Sequence, residues 1–196
     1  VAMIRRDLNG TPKAGAANYV IVSLKQPATT LMPSDEPADT PKPGALITPG
    51  DKQNPRWHGQ ISTGHTLRRW ADGGEVVRGS LSHDAHGQAS VRLPKLPSGA
   101  YRLKYETVDD FGSTYSMTRE FAVAEGRSSL ALPLVVATDK SSEKVGGKIA
   151  LFVHSGFVDQ PLTVVRFSAG KKVQERQVRS ERDAAMLEIP ITEKDR

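Results

Sequence analysis

Apolar and polar residues alternate with a period of two over most of the chain, and this pattern predicts strands rather than helices. Tyr19-Val20-Ile21-Val22-Ser23-Leu24 is a strong strand, preceded by the turn-forming run Asp7-Leu8-Asn9-Gly10-Thr11-Pro12. Asn-Gly before Pro bends a chain because Gly admits positive φ and Pro presets φ. Further strands are predicted at Glu75–Leu81, Ala89–Leu93, Tyr101–Glu106 and Tyr115–Val123. Asp84-Ala85-His86-Gly87, Pro94–Gly99 and Asp109-Asp110-Phe111-Gly112 supply the turns. A second series follows at Leu130–Thr138, Lys148–His154, Leu162–Ser168, Lys172–Arg179 and Ala185–Ile191, broken by Gly146-Gly147, Ser155-Gly156 and Ala169-Gly170. Helical periodicity is weak everywhere, with Ser180–Met186 its only candidate. The first residues, Val1–Asp7, already read as strand, so the sequence is expected to begin inside a fold.

Between Gln26 and Pro55 the alternation collapses. Pro27, Pro33, Pro37, Pro41, Pro43, Pro49 and Pro55 interrupt a stretch rich in Thr, Ser and Asp. Each Pro removes a ladder donor, so the segment is a long loop. It admits three readings: a protease-accessible bait around Lys25, Lys42, Lys52 and Arg56, a polyproline-type binding segment, or a plain insertion. A module boundary is expected near Glu125-Gly126-Arg127. The expected organisation is therefore an all-β fold of two consecutive immunoglobulin-like β-sandwich modules. Residues 1–126 form the first, carrying the Pro-rich insertion 26–57. Residues 127–196 form the second, which has about five strands where such a sandwich has about seven.

Composition narrows the function. The chain has 196 residues, 37% of them hydrophobic, with 13 Pro and 17 Gly, a pattern of small cores and long connections. It has no Cys, which excludes disulfides, thiolate metal sites and a Cys nucleophile. No apolar run approaches the ~20 residues that span a bilayer as a helix. The net charge of +5 suggests nucleic acid, but 27 Lys+Arg are interleaved with 22 Asp+Glu, as in Lys171-Lys172-Val173-Gln174-Glu175-Arg176. Solvated strand faces account for that mixture, and no nucleic-acid partner is expected.

Candidate chemistry is sparse. His83-x-x-His86 is the one close pair among His58, His65, His83, His86 and His154; with Asp84 it is a potential metal contact, but it surrounds a turn and is read as exposed turn residues. No Gly-x-Ser-x-Gly elbow, P-loop or G-x-G-x-x-G occurs. Asp109-Asp110 are neighbours on a turn rather than a facing carboxylate pair. Gly146-Gly147-Lys148 reads as a β-turn. Trp70, beside Arg68-Arg69, is expected to close the first core, while Trp57 stays open between core and an exposed contact. No catalytic, cofactor-binding or metal residue is assigned, and no enzyme activity is expected.

Two stretches carry a resemblance. Asp84-Ala85-His86-Gly87, the strand through Leu93-Pro94, Leu96-Pro97-Ser98-Gly99-Ala100-Tyr101-Arg102-Leu103, Asp109-Asp110-Phe111-Gly112 and the closing Phe121-Ala122-Val123 give the order D-x-x-G, strand, L-x-x-G-x-Y-R-L, D-x-x-G, F-x-V. Thr138-Asp139-Lys140 followed by Val145–Ser155 gives an opening T-D-K and a strand. Together these resemble successive macroglobulin modules of bacterial alpha-2-macroglobulin-like proteins over residues 74–196, and Asp7–Leu24 fits an opening strand pair. Residues 26–57 match no part of that pattern. Glu143 and Lys144 stand where the opening motif has an aromatic nearby, and without Cys the chain lacks the family's Cys–Gln thioester, which lies in another domain of those members that keep it. The resemblance implies non-catalytic modules of a periplasmic, exported bacterial protein, with any lipid anchor elsewhere in the parent, whose family entraps or inhibits proteases. The implied partners are other modules of the same parent and, through it, proteases. The alternative is a surface adhesin or carbohydrate-binding sandwich, which an aromatic platform at Trp57 with Tyr19 or Tyr115 would favour.

Overall fold

The computed structural model describes residues 1–32, 40–53, 62–124, 130–180 and 185–195. Of these residues 50% are strand and 9% helix, so the fold is all-β with minor helical turns. The chain divides into two compact units. One comprises Val1–Gln26 with Trp70–Glu125, the other Pro27–Arg69 with Gly126–Arg196. The segment expected as an insertion in the first module thus groups with the second unit, where Thr63 Oγ1 donates to the Leu134 carbonyl at 3.3 Å.

In the first unit, β1 (Ala2–Ile4) pairs with β4 (Gln88–Ser90), and a four-stranded antiparallel sheet runs in the order β3 (Asp72–His83), β2 (Gly15–Leu24), β5 (Gly99–Val108), β6 (Thr114–Val123). The pleat sorts β2 as its alternation predicts: Ala17, Tyr19 and Ile21 point one way and meet Thr107, Tyr105 and Leu103 of β5. Met3, Leu96, Tyr101, Leu103 and Tyr105 close this core around Ile21, which is 0% exposed. Tyr101 stacks on Phe121 with ring centroids 5.6 Å apart. Opposite Tyr19 stands Gly79, where a Cβ would strike the phenol ring, so the aromatic side chain fills the space that the glycine leaves. Trp70 is buried, as expected of a core residue.

The opposite face of this sheet is charged. Arg102, 13% exposed at its side chain, donates to Glu120 at 2.8 Å, to Asp72 at 2.5 Å and to the Trp70 carbonyl at 3.2 Å. Lys104 meets the other Asp72 oxygen at 2.5 Å. Hydrogen bonds from Lys104 first and Arg102 second hold the Asp72 carboxyl below its ordinary range.

In the second unit β7 (Val135–Thr138), β8 (Lys148–His154) and β11 (Ala185–Pro190) form a three-stranded sheet in the order β11-β8-β7, and β9 (Gln160–Ser168) pairs with β10 (Lys171–Ser180). Leu151, Val153 and Leu187 pack against Leu162, Val164 and Val178, so one face of the β9–β10 hairpin lies over the three-stranded sheet. The predicted T-D-K turn works through Asp139, whose carboxylate accepts the Ala150 N–H at 2.8 Å. Gly146-Gly147 is a turn, with the Gly147 N–H donating to Lys144 O at 2.9 Å. The Glu143 carboxylate pairs with Lys140 and accepts the Lys144 N–H at 2.8 Å.

Two short helices, α1 (Pro49–Gln53) and α2 (Thr63–Arg69), break the expectation of strand and loop throughout. Thr48 and Asp51 cap α1 reciprocally: the Asp51 carboxylate accepts the Thr48 N–H at 2.8 Å, and the Thr48 hydroxyl accepts the Asp51 N–H at 3.3 Å. Helix α2 buries Thr66 and Leu67. Of the helical candidate Ser180–Met186, residues 181–184 lie outside the described residues, while Ser180 ends β10 and Ala185 and Met186 open β11.

Candidate functional site

Two of the motifs that carry the resemblance, Asp84–Gly87 and Asp109–Gly112, lie at one end of the first unit, where they meet a third turn of the same construction at Asp7. Asp7-Leu8-Asn9-Gly10-Thr11, Asp84-Ala85-His86-Gly87-Gln88 and Asp109-Asp110-Phe111-Gly112-Ser113 share the spacing D-x-x-G-x. In each, Oδ1 of the leading Asp accepts two backbone N–H groups, from the second and the fourth residue after it. The distances are 3.0 and 2.9 Å at Asp7, 2.8 and 2.9 Å at Asp84, and 2.9 and 2.7 Å at Asp109. The Gly N–H donates back to the Asp carbonyl at 3.0, 2.9 and 3.1 Å, and the Asp N–H donates to the fifth residue's carbonyl at 3.0, 3.0 and 2.9 Å. Gly10, Gly87 and Gly112 have φ of +83°, +68° and +85°, a region that other L-residues enter at a cost. The carboxylate serves as an Asx-turn clamp. The Thr11 amide chiefly lowers the Asp7 carboxyl from its ordinary range, and the Gln88 amide does the same for Asp84.

Arg5 ties the turns together. Its N–H donates to Gly87 O at 2.7 Å, its carbonyl accepts the Lys13 N–H at 3.1 Å, and its guanidinium reaches the carbonyls of Ala14 and, at 2.7 Å, Val108. Lys13 Nζ meets Asp110 at 3.0 Å. Neither the third copy of the turn at Asp7 nor the role of Arg5 emerged from the alternation. The D-x-x-G-x spacing was the available signal, masked there by the more familiar Asn-Gly-Thr-Pro.

The histidine pair separates. His86 is exposed on its turn, but His83 is buried at the end of β3, correcting the expectation of two exposed turn residues. Its Nδ1 lies 3.2 Å from Gly15 O, and its ring stands edge-on to Tyr105 at 5.9 Å. His154, also buried, places Nε2 3.0 Å from Leu130 O. Among the described residues no three His, Asp or Glu side chains gather as a metal site. Trp57, His58 and Arg56 lie outside the described residues, as does the expected boundary at Glu125-Gly126-Arg127. No described helix is long and apolar enough to cross a membrane.

The L-x-x-G-x-Y-R-L motif is equally committed to structure. Leu96 and Leu103 are in the core, the Tyr101 ring lies beside Gly99, the Tyr101 hydroxyl donates to Pro97 O at 2.8 Å, and Arg102 holds the charged cluster. At the end where the Asp turns meet, two apolar side chains stand outward among polar ones: Leu8 is fully exposed, and Phe111 is 94% exposed at its turn tip. Such an arrangement orients backbone and offers apolar tips for contact. Comparison of the chain with family models, with curated proteins and with solved structures found no match.

Proposed function

We propose that this chain is a non-catalytic, structural stretch of a larger exported bacterial protein of the alpha-2-macroglobulin kind, its β units being immunoglobulin-like, macroglobulin-type sandwiches. One observation carries the reading: in the first unit the motif residues Asp84, Gly87, Asp109 and Gly112 hold turn backbone, and Leu96, Tyr101 and Leu103 fill core. The three Asp carboxylates saturate turn amides, and Tyr101 bonds back to Pro97 four residues upstream, a tether of the kind that fixes strand crossings in Greek-key sandwiches. In this reading the parent resides in the periplasm and engages proteases, while this stretch keeps neighbouring modules at a set geometry. The test is to incubate the full-length parent with several endopeptidases and assay each on a short peptide and on a large protein substrate. Entrapment spares peptide cleavage and suppresses protein cleavage. If no protease shows that split, the family reading fails.

An adhesin or glycan-binding module is the second reading, favoured by Tyr115, which is 61% exposed near Phe111 on the β5–β6 hairpin. Of the other proposed platform members, Tyr19 is buried and Trp57 lies outside the described residues. Glycan-array binding that disappears in Tyr115→Ala would support it over the first.

A further inference from the structure

The first unit's sheet ends in two edges that the sequence treats differently. Strand β3 is irregular: its pairing with β2 shifts register between Ile21 and Val22 and again between Val22 and Leu24, and it contains Gly73, Gly74 and Gly79. Bulges and glycines of this kind blunt an edge against further pairing. Strand β6 has no such protection. It pairs with β5 in ten successive steps from Gly99↔Val123 to Val108↔Thr114 without a bulge, it contains neither Pro nor Gly, and it is the terminal strand of its sheet. Its residues Thr114–Arg119 are all exposed, including Tyr115 and, at 42%, Met117.

The free backbone groups can be located. Asp109 N–H donates to Ser113 O, so position 113 turns its backbone toward β5. Backbone direction alternates along an antiparallel strand, so Thr114, Ser116, Thr118, Glu120 and Ala122 direct their N–H and C=O groups to the open edge. A second β6 running antiparallel, with the faces of the two sheets kept on the same sides, must bring even positions opposite even positions. Two registers of this class use nearly the whole strand. One sets Arg119 against its own copy and is opposed by like charge. The other sets Thr118 against Thr118, Ser116 against Glu120 and Thr114 against Ala122. On the core-side face it sets Tyr115 against Phe121, and Met117 against the aliphatic stem of Arg119.

We propose that the β6 edge is a self-association surface, pairing with β6 of a second copy of this chain about a two-fold axis at Thr118. The joined sheets form one eight-stranded sheet, and the exposed Tyr115 and Met117 are covered at the seam. This surface stands independently of the protease-trapping reading, because it rests on strand geometry alone.

Sedimentation of the chain over a wide concentration range tests it, with two variants. Thr118→Pro removes an N–H that faces the open edge and leaves the β5 ladder intact. Thr118→Lys places like charges at the axis on an exposed position. The expected result is a reversible dimer whose association constant falls on the order of tenfold or more in both variants, with wild-type circular dichroism. The chain has no Cys, so Thr118→Cys gives a clean probe: a short bismaleimide should link it into a dimer, and Ser80→Cys on β3 should stay monomeric. A chain that stays monomeric at every concentration, a dimer indifferent to both variants, or equal linking at positions 80 and 118 overturns the proposal.

Discussion

Substituting Ala at Gly87 and at Gly112 separates two costs that are usually measured together. Both glycines occupy the fourth position of an Asp-x-x-Gly turn with positive φ, +68° and +85°, and both donate to the carbonyl of the leading Asp. Any L-residue there incurs the left-handed strain, about 1–2 kcal/mol. The surroundings differ. A Cβ at Gly112 meets nothing within 4 Å, whereas one at Gly87 is driven into the carbonyl oxygen of Arg5 and lies 3.1 Å from the Lys13 nitrogen. The obstacle is backbone, so it cannot be relieved by a rotamer change, and the Arg5–Gly87 hydrogen bond that docks β1 is displaced with it. Overpacking of this kind costs a further ~1–3 kcal/mol. Gly112→Ala should therefore lose about 1–2 kcal/mol and Gly87→Ala about 2–5 kcal/mol. Urea unfolding followed by circular dichroism reads both, and Gly10→Ala, also open within 4 Å, is the control that should match Gly112→Ala. Equal losses at positions 87 and 112 would refute the claim that the turns are bound together through Arg5.

The charged cluster gives a second contrast. Arg102→Ala leaves Glu120, 9% exposed at its side chain, without its cation and should cost about 3 kcal/mol in the same unfolding assay, whereas Lys104→Ala, at a half-exposed position, should cost under ~1 kcal/mol. Ile21→Ala, at the centre of the first core, should cost about 2–5 kcal/mol. Acid should also weaken the fold. The Thr192 amide first and Arg166 second pull the Asp195 carboxyl from its ordinary 3.8 to about 2. A carboxyl lowered in the folded state binds its proton less tightly there than in the unfolded chain, so its contribution is complete above pH ~4 and is lost as pH falls toward 2. Stability measured at pH 5 and pH 2.5 should drop, and Asp195→Asn should reduce that drop; an unchanged difference contradicts the assignment.

The strands that line a core were legible because one face of each is buried and period-two alternation reports that directly. Lys148–His154 begins and ends where its pattern does, and Tyr19–Leu24 and Tyr101–Glu106 fall inside β2 and β5. Helix α2 was not legible, since seven residues give too few turns to establish a 3.6-residue period, and its two buried residues, Thr66 and Leu67, are adjacent. His83 was misjudged because it stands at a strand's last position, where the inward face still applies although a turn follows immediately. Strand order and the blunting of β3 depend on pairing partners distant in sequence, which local pattern does not carry. The Asp-x-x-Gly turns were visible as spacing, but their union through Arg5 is a tertiary fact: Arg5 bonds to residues as far away as Val108.

The most direct test of the scaffold account compares the intact parent protein with a parent carrying Gly87→Ala, scoring each by how far it slows a captured endopeptidase on casein relative to a tripeptide substrate. The account predicts strong selective protection of casein by the unaltered parent, weakened in the variant, with tripeptide turnover the same in both. Loss of tripeptide turnover, as an active-site inhibitor would cause, or casein protection that ignores the substitution, would contradict it.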